Sequence, residues 1–369
     1  MIEGPTFEGK KILVTGGTGS FGHYIVKELI DKNPEEIRIF SRDEKKQDDM
    51  RYKYRSVSNL KFIIGDIRSR ESLRSAVRGV DIIFHAAALK QVPSCEYNVY
   101  EAVLTNTVGA KNIVDIAIEE NVEKVIAIST DKAVKPVNCM GMTKALAEKL
   151  MIWGNLNRNG CSTIFASVRY GNVIGSRGSV VPLFKNQIEQ GGPLTVTDPE
   201  MTRFILTLCQ AVKLVFKAAE EAIGGETFVM KIPSVKVGNL VKVMLMDIPE
   251  TSRPEIKIVG IRPGEKIDEV LVSEEEAHRT IDMGDFYCIL PALDIPGITK
   301  KYFRYPKAGI DEYTSGSECK YSDDELALLL NNEGWLPLSP RENNKGKLEL
   351  SANIRKTFCN RISEEMVIK

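Results

Sequence analysis

The stretch ILVTGGTGSFG, residues 12–22, decides how the rest of this chain is read. Ile12, Leu13 and Val14 read as a buried strand, and glycines follow at 16, 19 and 22. A helix is expected to begin near Ser20. Such glycine spacing is a weak signal in a generic place. Directly after a first strand and opening a helix, it is a strong one. The glycines let backbone approach a pyrophosphate, and the helix N-terminus offers N–H groups and a positive dipole end. Gly16, Thr18, Gly19, Ser20, Phe21 and Gly22 are therefore the first candidate dinucleotide contacts. A glycine-rich turn without a ligand is the alternative, and the strand–turn–helix context weighs against it.

Moving outward, short runs rich in Ile and Val recur: EIRIFSR, LKFIIGD, VDIIFHAAA, EKVIAIST and CSTIFASVRYG. Longer amphipathic stretches, such as AVLTNTVGAKNIVDIAIEEN, lie between them. That alternation predicts βαβ units and an α/β fold, a Rossmann-like doubly wound parallel sheet with helices on both faces. After about Gly175 the rhythm loosens. Helices are expected at SVVPLFKNQIEQGG and LCQAVKLVFKAAEEAIGG, and short strands at ETFVMKI and EIKIVGI. The expected organisation is a dinucleotide-binding domain over 1–175, joined by some later segments. A smaller α/β substrate-binding portion follows over 176–293, and a partly mobile C-terminal extension over 294–369. That extension holds one clear helix in SDDELALLLNNEG and turns polar from SPRENNKGK onward. No internal repeat is seen.

Composition excludes several functions. Lys+Arg and Asp+Glu are equal at 50 each among 369 residues, so no overall field draws nucleic acid or an anionic membrane. No apolar run approaches the ~20 residues of a membrane span. The start, MIEGPTFEGKK, lacks the apolar centre of a signal peptide, so a cytoplasmic location is expected. The seven cysteines are scattered, without a Cys-x-x-Cys pair, which fits a reducing compartment. With only three histidines, no metal site is expected.

The second strand ends in FSRDEKK. A carboxylate there would bind the ribose 2′-hydroxyl of NAD, whereas an arginine accepts the 2′-phosphate of NADP. Ser41 and Arg42 come first and Asp43 follows, so NADP is favoured over NAD. Asp66 and Ile67 in GDI, and Ala86, Ala87 and Ala88 after the fourth strand, complete the expected cofactor wall. The alanines also allow close helix–sheet packing, and both readings hold together. His85 reads as a satisfied core residue.

The order is now glycine turn, GDI, HAAA, STDK at 129–132, Met140 with Lys144, then RYGNVIGSRGSVVPLF. This resembles the extended short-chain dehydrogenase/reductase superfamily. Within it, the chain is similar to the nucleotide-sugar 4,6-dehydratases acting on UDP-N-acetylglucosamine. HAAALKQVPSCEYN, ISTDKAVKPVN, VRYGNVIGSRGSVVP, DPEMTRF, RPGEKIDE and DMGDFY carry the resemblance, over roughly Lys11 to Tyr287. Sugar epimerases of the superfamily share the glycines and the lysine but not normally Thr-Asp-Lys. The tail stretch DEYTSGSE at 311–318 resembles the inverting members, which also epimerise C5. Retaining members are the alternative.

The resemblance implies an NADP-dependent, internally redox-neutral elimination. C4 is oxidised to a ketone, the C5 proton is removed, the C6 hydroxyl leaves as water, and hydride returns to C6. By this resemblance Asp131 is the candidate acid for the C6 hydroxyl and Lys132 the candidate C5 base. An aspartate with an ordinary pKa of ~3.9 must be raised to donate at neutral pH, and a lysine must fall from ~10.4 to accept. A surface ion pair between the two is the plain alternative. Lys144 would hydrogen-bond the nicotinamide ribose. Its usual companion tyrosine is replaced by Met140, which has no ionisable proton. Thr130, Asp131 or a water relayed to Lys144 must then take the O4 proton, and Asp131 assisted by Thr130 is the first choice. Gly141 and Met142 read as packing.

Substrate contacts carried over from the resemblance are Lys90, Glu96 and Asn172. Arg203 and Arg262 suit a diphosphate, and Glu265 suits ribose hydroxyls. The expected partner is a UDP-sugar, in a homo-oligomer. A catalytically silent NADP-binding sensor is the second reading, supported by the lost tyrosine alone.

Overall fold

The computed structural model describes residues 7–336, apart from 159 and 319. The polar stretch expected from Ser339 onward lies outside the described residues. Six parallel strands form the centre: β1 (Lys11–Thr15), β2 (Glu36–Ser41), β3 (Leu60–Ile64), β4 (Ile82–His85), β5 (Lys124–Ile128) and β6 (Ile164–Arg169). Their spatial order is 3-2-1-4-5-6. Beyond β6 the sheet adds Thr227–Met230 in parallel, then Phe286–Ile289 and Thr280–Asp282 in antiparallel. This is the doubly wound arrangement, whose chain reverses direction between β1 and β4.

Burial on both faces explains why these strands read as continuous apolar runs. In β1, Ile12 and Val14 join the core under α1 (Ser20–Ile30) and the helix Leu208–Glu221. Leu13 points the other way, into the core shared by Arg70–Val77, Gly109–Glu119 and Cys139–Leu156. The expected helix over residues 102–121 forms, but it opens with a π-helical turn, Val103–Val108. Such turns re-aim side chains. Here Thr105 and Asn106 are buried, and Asn106 clasps the backbone of Leu89 through both its amide oxygen and nitrogen.

A separate core forms around Val181, Phe184, Leu194, Ile205 and Leu240. It carries the short sheets Asn172–Val173 with Thr202–Leu206 and Ser234–Lys236, and Leu194–Val196 with Ile256–Ile258. The helix Asp323–Asn332 packs on it through Leu326 and Leu330. Ser322 and Glu325 close its N-terminus as a capping box.

Of the two residues beside Met140 read as packing, Gly141 behaves so. A Cβ on it would stand 2.1 Å from the Lys132 carbonyl oxygen, so the helix Cys139–Leu156 abuts the turn Asp131–Ala133 through bare backbone. Met142 packs only in part, being 50% exposed.

Candidate active site

A cavity of about 930 Å³ opens over the carboxyl ends of the central strands, at the reversal point. That volume is at the upper end for one small-molecule site, enough for two ligands side by side. Every candidate cofactor residue between Gly16 and Ala88 lies on its wall, as does Lys144. Gly16 has φ 67°, and a Cβ there would come 2.9 Å from the Ala87 nitrogen. The turn is thus pressed against the alanines after β4. No side chain caps α1 at Gly19, which leaves its first N–H groups for an anion. Thr18 and Ser41 hydroxyls are hydrogen-bonded at 2.8 Å. These features fit a dinucleotide.

Asp43 is committed elsewhere. Its carboxylate caps α2 (Glu44–Lys53) by accepting from Lys46 N–H at 3.0 Å, and it pairs with the Lys46 ammonium. Arg42 is half exposed, 3.5 Å from Asp66. Asp66 is held mainly by Arg68, at 2.7 Å, and despite the cost of burial these arginines keep its carboxyl below the usual range. His85 is buried and hydrogen-bonded to Thr15 at 2.9 Å. Burial pushes its pKa down to about 3, so the ring is neutral.

At the end of β5, Thr130 caps the turn Asp131–Ala133, and its hydroxyl donates to Asp131 Oδ1 at 2.8 Å. Lys132 Nζ reaches the same oxygen at 3.0 Å. Asp131 is fully buried behind the cavity wall formed by Thr130 and Lys132, and its Oδ2 has no hydrogen-bond partner among the described residues. Lys132 also contacts Glu269 at 3.1 Å. Burial works to lower the Lys132 pKa, but the Asp131 and Glu269 carboxylates outweigh it and hold the ammonium above its ordinary value. The depressed lysine expected from the sequence is therefore not what this site contains. Two anions flank Nζ, and one of them comes from a distant segment.

Met140 lines the cavity and packs with Cys95 and Ala102, where a tyrosine would have presented its phenol. Tyr170 also lines the cavity, but burial pushes its phenol above the ordinary range, which makes it a poor base. Lys144 is buried, and its Nζ has no hydrogen bond or ion pair among the described residues. Burial lowers its pKa from 10.5 to about 8, with Glu148 opposing. A fall of that size is a penalty of about 3 kcal/mol on the charged form. Between the two values the unfolded chain binds more protons than the folded one, so stability rises with pH across that window. Lys144→Met is accordingly expected to melt at a higher temperature than wild type near neutral pH, and its margin should shrink towards about pH 10. Thermal melts without ligand check this, and equal melting temperatures at neutral pH would contradict it.

The substrate candidates Lys90, Asn172, Arg203, Arg262 and Glu265 line the cavity. Asn172 Oδ1 is buried without a hydrogen-bond partner among the described residues. Arg262 is half exposed and 3.3 Å from Glu265. Arg203 is largely committed: its guanidinium donates to the carbonyls of Thr202, Lys266 and Ile267. Glu96 is off the wall and instead accepts from the Cys139 N–H at 2.6 Å, bracing the start of the helix that carries Lys144. The segment 262–266 is tied to the residues that link the turn Asp131–Ala133 to the helix Cys139–Leu156. Asn138 donates to Gly264 O, and Lys266 to Val134 O, each at 2.7 Å.

Sequence reasoning passed over Thr105, Ser129, Ser179 and Glu269, each a cavity-wall residue with a buried oxygen that has no hydrogen-bond partner among the described residues. Ser129 stood beside the quoted Thr130 and was within reach. Thr105 depends on the π-turn, and Glu269 on a strand far along the chain; neither leaves a local signal. Among the described residues no cluster suited to a metal occurs, no cysteine is in a disulfide, and no helix is long and apolar enough to cross a membrane.

A family model described as polysaccharide biosynthesis protein matches residues 12–291. An uncharacterized membrane protein of Methanocaldococcus jannaschii is 48% identical over 292 residues, 77% of this chain and 87% of that protein. A UDP-glucose 4-epimerase of Rickettsia canadensis is 46% identical over 336 residues, 88% and 96% of the two chains. The X-ray structure of Pen from Bacillus thuringiensis superposes with a TM-score of 0.84 at 38% identity, covering 89% of this chain and 99% of that one.

Proposed function

This chain belongs to the polysaccharide biosynthesis protein family, and from that membership we propose an enzyme that reworks the hexose of a nucleotide sugar by epimerase- or dehydratase-type chemistry. The finer reading is a UDP-N-acetylglucosamine 4,6-dehydratase of the inverting type, NADP-dependent, making a 4-keto-6-deoxy sugar for a surface polysaccharide. The observation that carries it is the Asp131–Lys132 pair, 3.0 Å apart beside the cavity with one Asp131 oxygen left unpartnered.

The name of the Rickettsia relative favours a second reading, C4 epimerisation of a UDP-hexose. Such a reaction takes hydride from C4 and returns it to C4. It needs no proton transfer at C5 and no acid at O6, so Lys132 would be idle and Asp131 would keep only its exchange with O4. Mass spectrometry of the sugar nucleotide after incubation separates the two. Loss of one water supports the dehydratase, an unchanged mass with a new C4 configuration supports the epimerase, and no reaction with any UDP-hexose tells against both.

In this reading Asp131 Oδ2 takes the O4 proton while Thr130 steadies Oδ1, then gives that proton to O6 as it leaves. Lys132 removes the C5 proton. Lys144 orients the nicotinamide ribose. Arg262 grips the diphosphate, Glu265 the uridine ribose, and Lys90 and Asn172 the sugar end. Arg203, with its donors on backbone carbonyls, shapes the wall instead. When bound against Gly16, Gly19 and the alanines, the cofactor supplies hydride acceptance and return. The tail stretch 311–318 supports the inverting branch, and retention of C5 configuration is the alternative. A silent sensor has no use for this set of sugar-facing groups.

NADP is supported by Ser41 and Arg42 at the ribose end and by the commitment of Asp43 to its helix cap. Arg42→Ala is expected to weaken NADP binding by about tenfold or more and to leave NAD binding nearly unchanged, since a charge-assisted contact contributes roughly 1.5–3 kcal/mol. Calorimetric titration of both cofactors checks it; equal losses for the two would contradict the assignment. The same reading takes the protein to be a cytoplasmic homo-oligomer. Met142, Leu146, Trp153 and Leu156, exposed along one face of the helix Cys139–Leu156, support the assembly. Light scattering of a monomer would count against it.

A further inference from the structure

We infer that Glu269 is the proton partner of Lys132: it holds the ammonium in the resting site and takes its proton when the amine must act as a base. The second half rests on the dehydratase reading; the first half does not. Glu269 precedes the strand Val270–Val272 and is 2% exposed. Its Oε1 lies 3.1 Å from Lys132 Nζ. Its Oε2 is buried on the cavity wall with no hydrogen-bond partner among the described residues. The backbone is pinned from both sides. Glu269 N–H donates to Ser315 Oγ at 2.8 Å, Ser315 N–H donates to Glu269 O at 2.8 Å, and Ser315 Oγ meets Thr202 Oγ1 at 2.6 Å. The tail stretch that carried the resemblance thus holds this carboxylate in place.

Four charged groups lie around Lys132, from three segments of the chain. Asp131 is its neighbour in the turn, and Glu269 faces it from across the cavity. Arg203 approaches Glu269 at 3.9 Å but gives its hydrogen bonds to backbone carbonyls, and Lys266 gives its own to Val134 O. Lys132 is therefore the closest cation to Glu269, and Glu269 the one carboxylate beside Nζ that has no other proton to carry.

Proton order makes that decisive. A protonated Lys132 cannot accept from C5. Asp131 cannot relieve it, because at that stage Asp131 holds the proton taken from O4. With Asp131 neutral, one of the two charges fixing the ammonium is gone. The Nζ–H bond then breaks and an Oε1–H bond forms on Glu269, across the 3.1 Å contact, the electron pair staying on nitrogen. The neutral amine takes the C5 proton. The C5–H pair becomes the C5–C6 double bond as the C6–O6 bond breaks, and O6 leaves as water with the Asp131 proton. C5 is then reprotonated on its opposite face by a solvent proton, Lys132 keeps the proton it took, and Glu269 releases its own to solvent, so the charges return to their starting state.

The test compares wild type, Glu269→Gln and Glu269→Asp, each first checked for folding by circular dichroism. In the resting protein, the Lys132 side chain is followed by NMR titration, with Lys132→Arg for assignment. Its midpoint is expected to fall by about one pH unit or more in the Gln variant and less in the Asp variant. In turnover, UDP-N-acetylglucosamine is incubated in deuterated buffer and deuterium entry at C5 is read. The expected ranking is wild type, then Asp, then Gln, with Gln at least about a hundredfold down. A merely space-filling role predicts the reverse, because Gln keeps the shape and Asp does not. Identical Lys132 titrations in all three proteins, or more exchange in Gln than in Asp, overturn the inference. If Gln does not fold, a wild-type exchange rate and titration in Asp overturn it alone. A Lys132 shift in a protein that dehydrates no UDP-hexose upholds the resting pair and refutes the dehydratase reading.

Discussion

Asp131→Asn is expected to lower the rate of elimination from UDP-N-acetylglucosamine by about a thousandfold, the upper range for one general acid–base group. The asparagine can still accept from Thr130 and Lys132 through its amide oxygen, so the turn should keep its shape. What it loses is the ability to take and release a proton at the free oxygen. Both the O4 and the O6 transfers then fail, which is why one substitution should have so large an effect. Affinity for the sugar nucleotide should stay within about threefold, because Arg262 and Glu265 are untouched. Steady-state kinetics with calorimetry reads both quantities. More than a tenth of wild-type activity would remove Asp131 from its double role.

The second large effect concerns stability. Arg169, at the end of β6, makes two-point contacts with Glu148 and Glu276, and its side chain is almost wholly buried. It also donates to Leu271 O. Burial disfavours its charge, but the two carboxylates outweigh that and hold the guanidinium firmly protonated. The residue therefore ties the helix bearing Lys144 to the strand that follows Glu269. Arg169→Met would leave the buried Glu148 without a cation and Glu276 with Arg279 alone, at 3.5 Å, and a loss of about 3–5 kcal/mol is expected. Urea unfolding measures it, with Arg169→Met/Glu148→Gln recovering part of the loss. A loss below about 1 kcal/mol would mean the cluster relaxes into water instead.

The parts of the molecule legible in the sequence are those with a local signal. β1 through β6 appear as Ile- and Val-rich runs because both faces of the sheet are covered, and the glycine turn is legible because Gly16 needs both a positive φ and the space a Cβ would fill. Thr130, Asp131 and Lys132 were singled out through the resemblance that STDK carries, and one capped turn holds them together. What stayed hidden depends on contacts between segments. Nothing near Arg203 in the sequence says that carbonyls from 266 and 267 will occupy its donors. Glu96 looked like a pocket residue beside HAAA, yet the start of another helix claims its carboxylate. Glu269 lies in an ordinary stretch, and only the pairing of Val270–Val272 with Tyr313–Thr314 brings it to Lys132. The same contact reverses the expected direction of the Lys132 pKa, which no reading of STDK alone could supply.

Proton NMR of UDP-N-acetylglucosamine incubated with the wild-type protein and NADP in deuterated water tests the central claim most directly. The account predicts a new C6 methyl signal coupled to a deuterated, inverted C5 beside a C4 ketone, with no net change in cofactor oxidation state. A product that keeps its C6 hydroxymethyl group and its C5 proton, changed only at C4, would contradict it.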